Sequence, residues 1–105
     1  MSILILSHTD VQQCIDMPAA IKAMSKAFSS LANGTVTMPV RTHLSSEEPS
    51  GISVFMPALL SDNPTLGVKV VSNFTENYKQ NIASINGVIL LLDPHTGLPK
   101  ALMDA

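Results

Sequence analysis

Met17, Ala20, Ile21, Met24, Phe28 and Leu31 recur at three- and four-residue spacing, while Lys22, Lys26 and Ser29 fall off that stripe. This is the period of an amphipathic helix. Its ends are marked as well. Asp16 is a good N-cap, Pro18 falls in the first turn where a missing N–H costs little, and Asn33-Gly34 supplies a left-handed stop. Ahead of this helix, Ile3–Leu6 reads as a short strand, and Ser7 or Thr9 caps a short helix running to Cys14.

After Gly34 the period shifts towards two and β-branched residues accumulate, so the rest of the chain reads as strands joined by turns. Thr35–Leu44 is an extended run broken by Pro39, which marks an edge strand or a bulge, and Ile52–Met56 is a second run. The polar stretch Ser45–Gly51 between them suits a hairpin loop. Leu66–Val71 and Gly87–Leu92 are nearly continuous apolar runs, the pattern of central strands covered on both faces. Asp93-Pro94-His95-Thr96-Gly97 is a turn leading to Leu98–Met103, so the last two strands form a hairpin. The predicted class is α+β: N-terminal helices packed on a mainly antiparallel β-sheet. The chain stops at Met103-Asp104-Ala105, directly after a strand, which reads as an interruption.

A length of 105 residues implies one domain, 1–105, with one core. The residues are 46% apolar and only 13% charged, so neutral groups cover more of the surface than usual and a partner is expected. A net charge of −2 without any basic run argues against nucleic acid. Cys14 is the only cysteine and no secretory leader is visible, which favours a reducing, cytoplasmic setting. The longest apolar run, Val88–Leu92, is far short of a membrane span. Gly34, Gly51, Gly67, Gly87 and Gly97 never approach the G-x-G-x-x-G or P-loop spacing, so the usual cradle for a nucleotide phosphate is missing and no Rossmann domain is expected in this chain.

Lys69 is the most unusual residue, because its neighbours in Gly67-Val68-Lys69-Val70-Val71 all favour burial. A buried ammonium needs an anion. Either a structural carboxylate or an edge position that lets it reach water satisfies Lys69, or a ligand does. Arg41, the only arginine, also lies in a strand-like run, and its planar fork suits bidentate capture of a carboxylate; a surface strand arginine is the plainer reading. Gly67 and Gly87 mark either close approach of a ligand or backbone, or a bulge. Ser84 offers a hydroxyl to a substrate or phosphate, or simply starts a strand. His8, His43 and His95 make no ligand spacing with Cys14, so no metal site is expected. His43 shares a strand face with Arg41, two residues away, and reads mainly as an ordinary strand histidine. No serine has the flanking glycines of a nucleophile elbow.

The order of these segments resembles the N-terminal region of the ornithine cyclodeaminase and mu-crystallin family, which includes some alanine dehydrogenases and imine or ketimine reductases. The matching pieces are Ile5-Leu6-Ser7, Asp10-Val11, Met17 with Ala20-Ile21, and Ala27-Phe28. Met38-Pro39-Val40-Arg41-Thr42, Met56-Pro57-Ala58 and Gly67-Val68-Lys69-Val70-Val71 follow. Ile85-Asn86-Gly87-Val88-Ile89-Leu90-Leu91 and Asp93-Pro94-His95-Thr96-Gly97 complete the series, which spans the whole chain.

The resemblance implies an α+β portion for substrate binding and dimerisation, followed in full-length members by a Rossmann domain that binds NAD(H) or NADP(H). Arg41 and Lys69 then match the residues that hold the carboxylate of an amino or imino acid. Ser84 falls where the family often has threonine near the cofactor, and Asn86 where glutamine is common. In the parent reaction hydride leaves the substrate Cα for the nicotinamide, and the catalytic aspartate lies in the Rossmann part. By this resemblance the chain alone is inactive, holds no cofactor tightly, forms a homodimer, and works with a Rossmann domain in cis or in trans. Two alternatives stand beside it: a non-catalytic carboxylate-binding module of mu-crystallin type, and a dimerising remnant with no ligand.

Overall fold

Ser7 ends the first strand and starts the first helix. In the computed structural model, which describes residues 1–105, strand β1 (Leu4–Leu6) runs into helix α1 (His8–Cys14) through this residue. The Ser7 hydroxyl accepts from the Asp10 N–H at 3.2 Å, and the Asp10 carboxylate accepts from the Ser7 N–H at 2.9 Å. This reciprocal box satisfies two amides that the helix cannot. Helix α2 (Met17–Ala32) opens on Asp16, whose carboxylate accepts from the Ala19 N–H at 2.9 Å, and Gly34, with φ of +75°, follows its C-terminal Asn33 cap. Both helices match their predicted limits.

Seven strands then form one sheet in the order β1-β7-β6-β5-β4-β2, with β3 also on β4. They are β2 (Val36–Thr37), β3 (Thr42–Glu47), β4 (Ser50–Leu60), β5 (Thr65–Asn73), β6 (Ile85–Leu92) and β7 (Pro99–Asp104). Every pairing is antiparallel except β1 with β7. The α+β class and the absence of a Rossmann unit agree with the sequence reading.

Three details differ. Ser45–Gly51 is not a loop: β3 continues to Glu47 and β4 begins at Ser50, leaving Glu48 and Pro49 as the turn. Polar side chains on an edge strand cost little, because the ladder is made by the backbone and the side chains face water. Strand β4 also runs on past Met56, through Pro57, to Leu60. β2 and β3 occupy the same edge of β4, facing Leu59–Leu60 and Ser50–Phe55 respectively, and the chain leaves that edge at residues 38–41. Pro57 therefore has no strand partner on that side to lose, and Pro39 marks the break in the edge.

The third difference concerns coverage. Strands β5 and β6 are central but not covered on both faces. Only Ala101 and Ser30 are buried, and the radius of gyration is 15.6 Å, against about 13 Å for a compact chain of about 100 residues. Helix α1 lies beside β1 and β7 at one edge. Helix α2 sits near the far end of β4, where the Ser30 hydroxyl donates to Asp62 at 2.7 Å and Ala27 and Ser30 adjoin Leu60 and Asn63. The large apolar stripe of α2 stays exposed, Met17 at 71% and Phe28 at 64%. One sheet layer flanked by two helices cannot enclose so much apolar surface.

Candidate functional site

Residues paired across neighbouring strands point to the same face of a sheet. Lys69 of β5 pairs with Met56 of β4 and Ile89 of β6; Ile89 pairs with Met103 of β7, and Met103 with Leu6 of β1. Thr42 pairs with Phe55, so Arg41, one residue earlier, is level with Met56. Arg41 and Met56 share the lining of a cavity of about 270 Å³ at the break between β2 and β3. The two cations predicted from sequence thus stand in one row on one face, with Met56 between them. Two strand spacings separate them, about 10 Å between backbones, and Lys69 lies outside the lining of the Arg41 cavity.

Lys69 is exposed, contrary to the burial expected from its apolar neighbours. No helix or second sheet covers the middle of this face, so its ammonium reaches water. Arg41 is exposed too, and neither cation has an internal partner. The ion pairs are His8 with Asp104 at 3.2 Å and Lys79 with Glu76 at 3.0 Å. A structural carboxylate for Lys69, one of the readings left open by the sequence, is therefore absent.

The glycines flanking Lys69 answer the other open question. A Cβ on Gly67 would stand 2.9 Å from the Leu90 carbonyl oxygen, and one on Gly87 would stand 3.0 Å from the Val70 carbonyl oxygen. Both face a neighbouring strand's backbone, so the close approach is between β5 and β6.

Ser84 is not brought to this row. It precedes β6, where its carbonyl accepts from the Phe74 N–H at 2.9 Å. Lys69 is level with Ile89, five residues further along β6, a distance of roughly 17 Å. Asn86 donates its side-chain amide to the Ala83 carbonyl at 2.8 Å, and Asn77 donates to the same oxygen at 3.0 Å, closing the turn that carries Ser84. His43 pairs with Val54 and so lies on the face of Arg41 and Lys69, whereas His8 and His95 lie elsewhere, against Asp104 and in the β6–β7 turn.

Three carboxylates are engaged away from this row. The Ser30 hydroxyl holds Asp62 below its ordinary value of 3.8, the His95 N–H does the same for Asp93, and the Ser7 N–H does so for Asp10. The Ser30–Asp62 bond was not readable from sequence, because its partners are 32 residues apart. The Ser7–Asp10 box did have a signal, since serine followed three residues later by an acid is a capping pattern.

The sheet thus presents a lone arginine and a lysine level with one another, beside a break in its edge. Comparison with known proteins carries this to a family: the pattern of the ornithine cyclodeaminase/mu-crystallin family matches residues 1–105, and the chain belongs to it. The structure of Thermococcus litoralis Δ1-pyrroline-2-carboxylate reductase, in complex with NADH and L-proline, superposes with a TM-score of 0.93 at 41% identity, over 97% of this chain and 32% of that one. An archaeal alanine dehydrogenase dimer with bound NAD gives 0.91 at 33% identity, over 100% of this chain and 32% of its own. A Bacillus cereus Δ1-pyrroline-2-carboxylate reductase is 29% identical over 96% of this chain and 31% of its own length. The chain therefore spans about a third of these relatives. No helix is long and apolar enough to cross a membrane.

Proposed function

We propose that this chain is the substrate-binding and dimerisation portion of an NAD(P)-dependent enzyme acting on a small amino or imino acid, with Arg41 and Lys69 holding the substrate carboxylate. The observation that carries this reading is their placement in one row of one face, each without an internal anion. Arg41 supplies a planar fork for two oxygens, and Lys69 adds a point charge that fixes the carboxylate and places positive charge beside the adjoining carbon.

The residues of this chain do not form a dinucleotide site. The one strand that turns directly into a helix is β1, and there Asp10 takes up the helix N-terminus where a pyrophosphate would lie. The cofactor and its chemistry belong to a Rossmann domain supplied in cis or in trans. Ser84 has its hydroxyl free of protein partners, and we place the edge of the cofactor there, remote from the carboxylate. The relatives solved with L-proline and with NAD support this division.

Calorimetry with L-alanine and L-proline tests the clamp. The chain binds both, and Arg41→Ala or Lys69→Ala each weakens binding by about tenfold to a hundredfold, the cost of one charge-assisted contact. Binding that survives the double variant overturns the assignment. NADH-linked turnover by the 105-residue chain alone overturns the division of labour.

A further inference from the structure

The face that carries Arg41 and Lys69 has a third donor, His43, and its one carboxylate, Glu47, stands at the hairpin tip two pairs beyond it. We infer that the ligand's side chain carries a second carboxylate, read by His43, and that this face selects against a distal ammonium. The inference rests on the carboxylate clamp proposed above.

Register supplies the geometry. His43 is two residues along from Arg41, and its row runs through Val54 and Val71 to Gly87. It lies about 7 Å from Arg41 along the strand, and about 12 Å from Lys69 on the diagonal, backbone to backbone. His43 is exposed and makes no hydrogen bond within the chain. A four-carbon diacid lying across the face spans the gap from the arginine–lysine row to the histidine row. The ground between is apolar or small, Val54, Val71 and Gly87, and offers nothing else polar to compete.

Charge supplies the direction. One α-carboxylate neutralises one of two fixed cations, which leaves the face positive. Six of the eight acidic side chains are tied up elsewhere, Asp10 and Asp16 at helix caps, Asp62 on Ser30, Glu76 on Lys79, Asp93 in its turn and Asp104 on His8. The other two, Glu47 and Glu48, are at the β3–β4 hairpin tip, Glu47 four residues beyond His43, roughly 13 Å away. A ligand with a distal ammonium would meet two cations and an imidazole with no carboxylate in reach, whereas a distal carboxylate meets complementary donors.

The test is calorimetry of the 105-residue chain with L-alanine, L-aspartate and L-ornithine, which share the amino-acid head and differ in the distal group. L-Aspartate binds about tenfold tighter than L-alanine, the worth of one more charge-assisted hydrogen bond, and L-ornithine binds weaker than both. His43→Ala brings the aspartate-to-alanine ratio to one, and His43→Gln, which keeps a donor, restores part of it. Aspartate binding no tighter than alanine, a ratio unchanged by His43→Ala, or ornithine binding tightest, each overturns the inference while alanine binding through Arg41 and Lys69 leaves the clamp standing. Failure of all three ligands to bind overturns both. Circular dichroism of each variant separates lost contacts from lost fold.

Discussion

The Ser30 hydroxyl donates to Asp62 Oδ2 at 2.7 Å, joining the last turn of α2 to the β4–β5 turn across 32 residues of chain. Ser30 is the buried polar residue of the molecule, and the Thr35 hydroxyl donates to its carbonyl at 3.0 Å. This small polar cluster supplements a loose apolar groove, in which Met24, Phe28 and Leu31 of α2 share a lining with Val36, Ala58 and Leu60 yet stay largely exposed.

A pH dependence follows from that contact. Asp62, Asp93 and Asp10 are all held below 3.8 by hydrogen bonds to their charged forms. A carboxylate whose folded value is depressed adds stability that is complete well above its unfolded value and lost as pH falls through the folded one. These three contributions are therefore complete near neutrality and are lost progressively below about pH 5. Carboxyl-carbon NMR titration reads the three values directly. Ser30→Ala moves Asp62 back towards its ordinary value and leaves Asp93 in place; an Asp62 titration unmoved by this change contradicts the account.

Gly67→Ala places a methyl 2.9 Å from a backbone oxygen of the adjoining strand. Backbone cannot swing aside as a flexible side chain can, so β5 and β6 must part locally. The expected loss is about 1–3 kcal/mol, read from the midpoint of urea unfolding, and an unchanged midpoint refutes it. Gly67 is two residues from Lys69, so the carboxylate binding proposed for Lys69 weakens in the same variant.

Asp16→Ala removes the cap of α2 and costs about 1 kcal/mol. Because few apolar contacts hold this helix, the loss appears as fraying of α2 specifically. Hydrogen exchange at Ala20 and Ile21 accelerates while amides of β5 do not, and uniform acceleration across the chain would refute this.

The sheet face opposite Lys69 carries Leu66, Val68 and Val70 of β5 and Leu90 of β6, and no charged side chain on β4, β5 or β6. Surface of this kind in a chain with a 13% charged fraction favours self-association. Sedimentation equilibrium at micromolar concentration gives a species of twice 11.2 kDa. Val68→Glu shifts it towards the single-chain mass, since a charge in an apolar interface has no partner. A single-chain mass for the unaltered protein refutes the prediction.

The local grammar of the chain was legible from its residues. Asp16, Pro18 and Asn33-Gly34 bound α2 as read, and Asp93–Gly97 makes the predicted turn, with the Gly97 N–H donating to the Asp93 carbonyl at 2.8 Å. Lys69 was expected to be buried, and the fold does not sustain that. Apolar neighbours imply burial only when something lies over the strand, and whether anything does is a property of layers. Periodicity likewise found the stripe from Met17 to Leu31 but not which way it turns, because a stripe that waits for a partner repeats like one that has found it. Ser45–Glu47 was missed as strand because backbone pairing on an exposed edge leaves no apolar trace.

The break in the edge strand at Pro39 gives Arg41 and Lys69 unequal anchorage. Lys69 hangs from a strand hydrogen-bonded on both sides, by β4 and β6, so its origin is fixed. Arg41 hangs from a segment that has left the ladder and regains it only at Thr42. The register of the sheet therefore dictates where Lys69 starts from, whereas the path of residues 38–41 between β2 and β3 dictates where Arg41 does.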